Sequence, residues 1–567
     1  MGNIARVLAL MSILTVFPSA VFGQVTWNTG QMIEDNVGHS GGIPQVAISG
    51  NNVVAIWRQN DGSGYRIYVN HSTDGGGTWG ADQLIEDNSG NHAYEPQVVI
   101  SGNNVVAVWR QNDGSDYYRI YANHSTDGGV SWGSDQLIED NAGNDGLYPQ
   151  VAISGNNVVA VWRKIDGDNN RIYANHSADG GATWGADQLI EDNAGGNFPQ
   201  VAISGNKVVA VWQQYDGSGY RICANHSTDG GATWSADQLI ENNAGIEGNA
   251  TPQVVISGNK VVAVWRQYDG NNYRIYANYS ADGGATWGAD QFIEDNAGSD
   301  GSPPQVAISG NNVVAVWRQI SGINYSIYAN HSTDGGATWN ADQLIEDNAG
   351  IEGNATPQVA ISGNNVVAVW RQNDLDYGII SADYSADGGA TWGIDQLLNN
   401  ANHSASSPQV AISGNNVVAV WQQSDGSNTR IYSTIGIIEE QSLPVAGPDL
   451  TGTWTSMNQS CKNYRKGIRC KIKSKITIQN IGNEDASSSV VRYYLSKDDT
   501  FDAGDTLLKQ INTGKIKKGK SKNKSFSYTS PYGILISGKY IIAVMDADHT
   551  SAEINENNNM IVFGPTP

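Results

Sequence analysis

Two series of arginines recur along the chain at fixed places. Arg58, Arg110, Arg163, Arg266, Arg318 and Arg371 each follow a tryptophan; Gln213 and Gln422 take that place in two further copies. Arg66, Arg119, Arg171, Arg221, Arg274 and Arg430 each precede an isoleucine in a short apolar run. A guanidinium offers a planar fork of donors that matches a carboxylate. A rim of such forks would bind acidic sugars at several equivalent sites. The competing use is internal, because Asp61, Asp113, Asp166, Asp216 and Asp269 lie close by and can pair with the same arginines. Tyr65, Tyr118, Tyr220, Tyr273 and Tyr325 stand near the same positions, where an aromatic ring either stacks on a sugar face or packs.

Other residue types bear on metal and thiol chemistry. His71, His124, His176, His226 and His331 repeat in Asn-His-Ser. Equivalent histidines of separate repeats sit far apart, and none has a partner at metal-ligand spacing, so a metal role is not expected of them. The same triplets are Asn-x-Ser sequons, at Asn70, Asn123 and Asn330, which matter only in a glycosylating host. Asp498, Asp499, Asp502 and Asp505 cluster around Phe501 and Gly504. Clustered carboxylates can hold Ca²⁺, although the spacing is not that of an EF-hand. Asp498, Asp502 and Asp505 are the candidate ligands, and no other cofactor is expected. Cys461 and Cys470 are close enough to form a disulfide after export, whereas Cys223 stands alone where sister repeats carry Tyr and reads as a buried thiol. Six lysines crowd 515–524, either a solvated hairpin or a surface for an anionic polysaccharide or for the acidic repeats.

The elements that position these residues are written as a repeat of roughly 52 residues, a period typical of solenoids and propellers. A leading proline recurs at 44, 96, 149, 199, 252, 304, 357 and 408. Each copy holds four short runs rich in Val, Ile, Tyr and Trp, strands a to d, separated by Gly, Asn and Asp turns. A single such sheet cannot bury both faces, but a radial stack closed into a ring can. The last copy stops after Tyr432, and its missing Thr-Trp and Gln-x-Ile-Glu-Asp stand at the other end of the chain, at Thr26-Trp27 and 31–35. The N-terminal strand is therefore expected to complete the last blade. The reading is all-β: an eight-bladed β-propeller over 24–437, a linker at 438–447 and a second β domain over 448–567. Length variation gathers in the d–a connections, at 37–43, 89–95, 142–148, 194–198, 244–251, 297–303, 349–356 and 400–407. These and the b–c loops form one face, where function is expected.

Ser-x-Asp-Gly-Gly-x-Thr-Trp, found at 72–79, 177–184, 227–234, 280–287, 332–339 and 385–392 and with Ser131 for Thr at 125–132, resembles the Asp box of sialidases and related propellers. The resemblance implies that Asp74, Asp127, Asp179, Asp229, Asp282, Asp334 and Asp387 are structural. Its carboxylate accepts backbone N–H bonds, its glycines take positive φ and its Trp packs between blades. Truncating that Trp is expected to cost about 3–5 kcal/mol. A sialidase-type mechanism would need an arginine clamp, a Tyr nucleophile with a carboxylate partner and an acid/base Asp. The Arg-Ile-Pro motif common in that family is missing near the N-terminus, and eight repeats exceed its usual six blades. Beyond 448, the runs 476–482, 490–496 and 539–546 with the closing 553–558, Glu-Ile-Asn-Glu-Asn-Asn, resemble CARDB-like (cell-adhesion-related) domains. That likeness implies an immunoglobulin-like sandwich acting as an extracellular bacterial adhesion or spacer module.

The chain has 567 residues and a net charge of −23. From 448 onward there are 17 Lys/Arg against 11 Asp/Glu, so the repeats carry the negative charge. An acidic body argues against nucleic acid as a partner. Residues 1–23 read as a signal peptide, with Arg6, an apolar core at 7–17 and a cut before Gln24. No second apolar stretch suggests a membrane span. The expected protein is secreted, non-enzymatic and glycan- or surface-protein-binding. The alternatives are a sialidase-like exo-glycoside hydrolase and a purely structural surface repeat.

Overall fold

The computed structural model describes residues 25–35, 38–87, 91–114, 117–140, 144–241, 251–295, 300–321, 324–346, 357–374, 377–399, 403–439, 447–502, 504–551, 553 and 558–566. The leader expected at 1–23 and most of the linker lie outside them. The chain divides into two compact units, Met1–Glu440 and Gln441–Pro567.

Among the described residues, the first unit holds eight antiparallel sheets. In blade 1, strand a is Gly41–Ser49, b is Asn52–Asn60, c is Tyr65–Ser72 and d is Gln83–Leu84. The same order repeats to blade 8, whose a, b and c strands are Ala405–Ser413, Asn416–Ser424 and Thr429–Ile438. The outer position of blade 8 is filled by Val25–Trp27 and Gln31–Met32, with Val25 opposite Ile438 and Gln31 opposite Ser433. Each strand a lies beside the strand a of the next blade, and Gly41–Ser49 lies beside Ala405–Ser413. The sheets therefore close into a ring, a β-propeller whose two chain ends share one blade.

Strand b explains the radial stack. Its run Val-Val-Ala-Val-Trp is apolar at every position, which suits a strand covered on both faces. The tryptophans at 57, 109, 162, 212, 265 and 317 are wholly buried between neighbouring blades. The Asp box supplies the second seam. Asp74 Oδ1 accepts from Thr78 N at 2.8 Å and Ser72 Oγ at 2.7 Å, and Gly76 N donates to Ser72 Oγ. Gly76, at φ +96°, lies so close to Val418 and Ile435 of blade 8 that a Cβ would collide at 2.7 Å. Only glycine satisfies both the turn and the approach. Gln31 Nε2 then donates to Gly76 O, and Gln136 repeats this latch onto Gly181 O. Gly75 N donates to Asn51 O, so the c–d box and the a–b turn share one side of the ring.

Two expectations change here. The box tryptophans, such as Trp79, are only half-buried, whereas the strand-b tryptophans are fully enclosed. The large truncation cost therefore belongs to strand b. The sequon asparagines are not surface acceptors. Asn70 Nδ2 donates to Ile33 O and Gly80 O, and the residue is 1% exposed.

In the second unit, Leu450–Tyr464, Gly467–Asn480 and Ser521–Thr529 form one sheet. The other runs Thr506–Asn512, Val490–Ser496, Tyr540–Val544, Met560–Phe563. Their inner faces enclose Ile472, Ile476, Tyr493, Phe526 and Ile541, as in an immunoglobulin-like sandwich. Cys461 and Cys470 face each other across the first hairpin and are disulfide-bonded.

Two measurements follow from this packing. Trp317→Ala is expected to cost about 3–5 kcal/mol in urea unfolding, and Trp339→Ala clearly less. Hydrogen bonds from Thr233 and Thr286, led by the Thr233 hydroxyl, hold the carboxyls of Asp229 and Asp282 down to about 2 against the opposing effect of burial. Stability from these boxes is full above the unfolded value near 4 and is lost as pH falls through about 2. Thr233→Val with Thr286→Val should flatten that acid limb in thermal melts between pH 2 and 5.

Candidate functional site

The two arginine series occupy different environments. Arg66 lies inside its blade, 6% exposed, paired with Glu86 and, at 3.3 Å, with Asp61. The equivalents are Arg119 with Glu139 at 2.9 Å and Asp113 at 3.6 Å, Arg171 with Glu191 at 3.3 Å, and Arg274 with Glu294 at 2.6 Å and Asp269 at 3.4 Å. Arg221 pairs with Glu241 and Asp216, and Arg430 with Glu34 and Asp425. The glutamate also reaches the next blade. Gln111 Nε2 donates to Glu86, and Gln111 Oε1 accepts from Trp109 Nε1 at 3.0 Å. Gln267 and Gln319 repeat this with Glu241 and Glu294. Burial pushes the carboxyls of Glu34, Glu139, Glu241, Glu294 and Glu191 up, Glu294 to about 7 and Glu191 to about 8, against the pull of the paired arginines. This series is committed to the interior, and the expected rim reduces to the other one.

That other series lies on the b–c and d–a face. The Arg58 guanidinium sits 4.8 Å from the Tyr65 ring centre and 5.5 Å from Tyr94 of the next blade. Arg110 lies 5.3 Å from Tyr94 and 4.8 Å from Tyr118, and its Nε is 3.1 Å from Glu95 Oε2. Arg163 covers Tyr148 at 4.9 Å and donates to Asn197 Oδ1 at 3.0 Å. Arg266 covers Tyr273 at 4.3 Å and Arg318 covers Tyr325 at 4.2 Å. Arg371 instead donates to Ala405 O. Half-burial lowers the guanidinium pKa of Arg163, Arg266 and Arg371, which stay cations. The result is a run of alternating guanidinium and aromatic groups, continued by Tyr65–Tyr94 and Tyr94–Tyr118 ring contacts at 5.5 and 5.9 Å.

One set of residues on this face was named in the sequence only as loop ends. Ile43, Glu95, Tyr148, Phe198 and Ser407 each precede the repeat proline and hold φ between 49° and 55°. A non-glycine residue pays strain to stand there. The cause is local: strand a is bulged at this point, between Gly42 and Gln45 in blade 1 and at the matching places in blades 2, 3, 4 and 8. All five side chains differ. Glu95 Oε2 accepts from Tyr148 N at 3.1 Å as well as facing Arg110, so Glu95, Arg110, Tyr148 and Arg163 form one cluster across blades 2 and 3. The sequence signal was a variable position before an invariant proline.

Most of the remaining candidates have local partners. Each repeated histidine packs its Cβ on a box glycine of the next blade, as His71 does on Gly129. Asp498 Oδ1 accepts from Thr500 N, Asp502 Oδ1 from Gly504 N, and Asp505 Oδ2 from Asp502 N. Among the described residues no three His, Cys, Asp or Glu side chains group as metal ligands. Burial pushes the Cys223 thiol up to about 12. Lys515 pairs with Asp485 at 3.2 Å on an exposed edge. No helix among the described residues is long and apolar enough to cross a membrane.

The division between the series is measurable. Arg274→Ala strands the buried Glu294 and should cost about 3–5 kcal/mol, whereas Arg58→Ala should stay within about 1 kcal/mol in the same unfolding assay.

Residues 447–563 match the CARDB family model, and the second unit is a CARDB domain. No curated protein matches the chain in sequence. Among solved structures, an α-L-arabinofuranosidase of Fusarium graminearum, in complex with arabinobiose, is similar at 16% identity and TM-score 0.35, covering 51% of this chain and 92% of its own. A sialidase of Trypanosoma rangeli in complex with sialic acid is similar at 12% identity and TM-score 0.37, covering 84% of each chain. A polysaccharide lyase is similar at 11% identity and TM-score 0.42, covering 70% of this chain and 90% of its own. These likenesses are distant, and the propeller assignment rests on the strand pairing described above.

Proposed function

We propose that this is an exported, non-enzymatic protein that binds glycans through the b–c and d–a face of its propeller, with the CARDB domain as its adhesion or spacer module. The observation that carries the reading is the guanidinium–aromatic face. Arg58, Arg110, Arg163, Arg266 and Arg318 each lie against a tyrosine, in five different blades. Tyrosine rings stack on the apolar face of a sugar, and guanidinium forks donate to its carboxylate or hydroxyl oxygens. Repetition of one chemistry around a ring suits several weak contacts with a polymer, where binding gains from avidity. The leader read at 1–23, the Cys461–Cys470 disulfide and the likeness of the second unit to extracellular modules support export.

A second reading, glycoside hydrolysis, is favoured by one feature. Glu95, Arg110, Tyr148 and Arg163 converge and are not repeated as a set. It requires released reducing sugar that disappears in Glu95→Gln.

The deciding experiment is a glycan array probed with the purified chain. Selective binding, weakened at least tenfold in the combined Arg58→Ala, Tyr94→Ala, Arg110→Ala variant at unchanged melting temperature, is the expected outcome. Absence of binding to any arrayed glycan would overturn the proposal.

A further inference from the structure

The face described above is not uniform. In blades 1, 2, 5 and 6 the strand-b arginine caps the strand-c tyrosine of its own blade, with guanidinium-to-ring distances of 4.2–4.8 Å. Blade 4 breaks the pattern by one substitution. Gln213 stands where the arginine would be, opposite Ile222 in the ladder, and Tyr220 opens strand c as Tyr65 does in blade 1. A glutamine side chain carries an amide in place of the longer guanidinium. Tyr220 is tilted against Tyr215, with ring centres 5.3 Å apart, as Tyr273 is against Tyr268 in blade 5, and without a capping guanidinium it is 39% exposed.

The space left behind is a cavity of about 290 Å³ on this face. It lies at the low end of the roughly 300–1,000 Å³ span of ligand pockets, a volume for one ring rather than a chain. Tyr220 and Phe198 give it two aromatic walls, and Phe198 is held there by its bulged, left-handed backbone. Asn197 also lines it. Its Oδ1 accepts from Arg163 Nη1 at 3.0 Å and from Phe198 N at 3.1 Å, so the group it has left for a ligand is the Nδ2 donor pair. Thr251 contributes a buried hydroxyl that has no hydrogen-bond partner among the described residues. A buried hydroxyl without a partner costs free energy until something fills that role. Arg266 of blade 5 is the one charged residue among those lining the cavity.

Blade 8 shows that the substitution alone is not enough. Gln422 replaces the same arginine, but its Oε1 accepts from Ile43 N and its Nε2 donates to Ser406 Oγ, both at 2.9 Å. The residue matching Tyr220 there is Thr429, so no ring is uncovered.

Resting on the glycan-binding reading, we infer that this blade-4 cavity is the specificity pocket of the face and holds one carboxylate-bearing pyranose, a uronic acid unit. The ring's C–H face stacks on Tyr220, which buries apolar surface on both. Asn197 Nδ2 and the Thr251 hydroxyl engage ring hydroxyls. The Arg266 guanidinium takes the carboxylate, which a neutral sugar lacks.

The test uses Gln213→Arg, which restores the residue that six sister blades carry at this position and so preserves the fold. The probes are glucuronic and galacturonic acid and their oligomers, with glucose and galactose as neutral counterparts, titrated by calorimetry into the purified chain, Gln213→Arg, Tyr220→Ala and Arg266→Gln. Expected are uronate binding by the parent, a loss of at least tenfold in Gln213→Arg and Tyr220→Ala, and loss of preference over neutral sugars in Arg266→Gln. Uronate binding that survives Gln213→Arg, or a parent that prefers neutral sugars, overturns the pocket while arrayed glycan binding leaves the broader reading standing. A parent that binds neither probe nor array overturns both.

Discussion

Burial of charge between blades is the constraint on which the ring depends. A glutamate just after strand d is enclosed where two blades meet, and an isolated carboxylate there would be prohibitively costly. The chain answers with the strand-c arginine of the same blade and the strand-b glutamine of the next, itself held by the buried tryptophan, as in Arg66–Glu86–Gln111–Trp109. The glutamate–glutamine link spans the seam between blades and therefore ties a sheet's position to its neighbour. Departures are informative. Blade 7 has Ile379 and Asn399 where arginine and glutamate would stand, so both charges are removed together, and Asn399 Oδ1 accepts from Ile380 N. Blade 3 presents Lys164 for the glutamine, 1% exposed, and its ammonium faces Glu139 at 3.6 Å and Asp187 at 3.8 Å.

The Asp boxes carry the same logic on the other side of the ring. Their hydrogen bonds are local, but their second glycine and the strand-d glutamine reach across the seam. The N-terminal strands complete the last seam, with Arg430 of blade 8 pairing to Glu34 from the start of the chain. Closure is thus made by contacts of the kind that hold most other pairs of blades, and among the described residues it gives the last blade the outer strand that its own repeat lacks.

With both seams engaged in structure, the b–c and d–a face is free to vary. The strained residues before the repeat proline, Ile43, Glu95, Tyr148, Phe198 and Ser407, concentrate there, and so do the one-off changes that open the blade-4 cavity. Rigid repeats beneath, irregular side chains above, is the arrangement expected of a recognition surface.

Much of this was legible in the residues. The period, the four strands, the completion of blade 8 by Thr26-Trp27 and the CARDB-like tail follow from pattern, because strand periodicity and turn chemistry are local properties. The two arginine series were visible too, but not their separation. Arg58 and Arg66 lie eight residues apart and look alike in sequence; only the pairing of strands b, c and d shows that one meets a glutamate inside the blade and the other meets tyrosines on its face. Glu95, Tyr148 and Phe198 escaped notice because a left-handed residue before proline is set by the bulge in strand a, which depends on register with strand b. The sequence by itself determined the elements and the ring they close. The tertiary structure decided which charges are neutralised inside it and which lie against tyrosines on its face, since burial and distance are fixed only when distant strands meet.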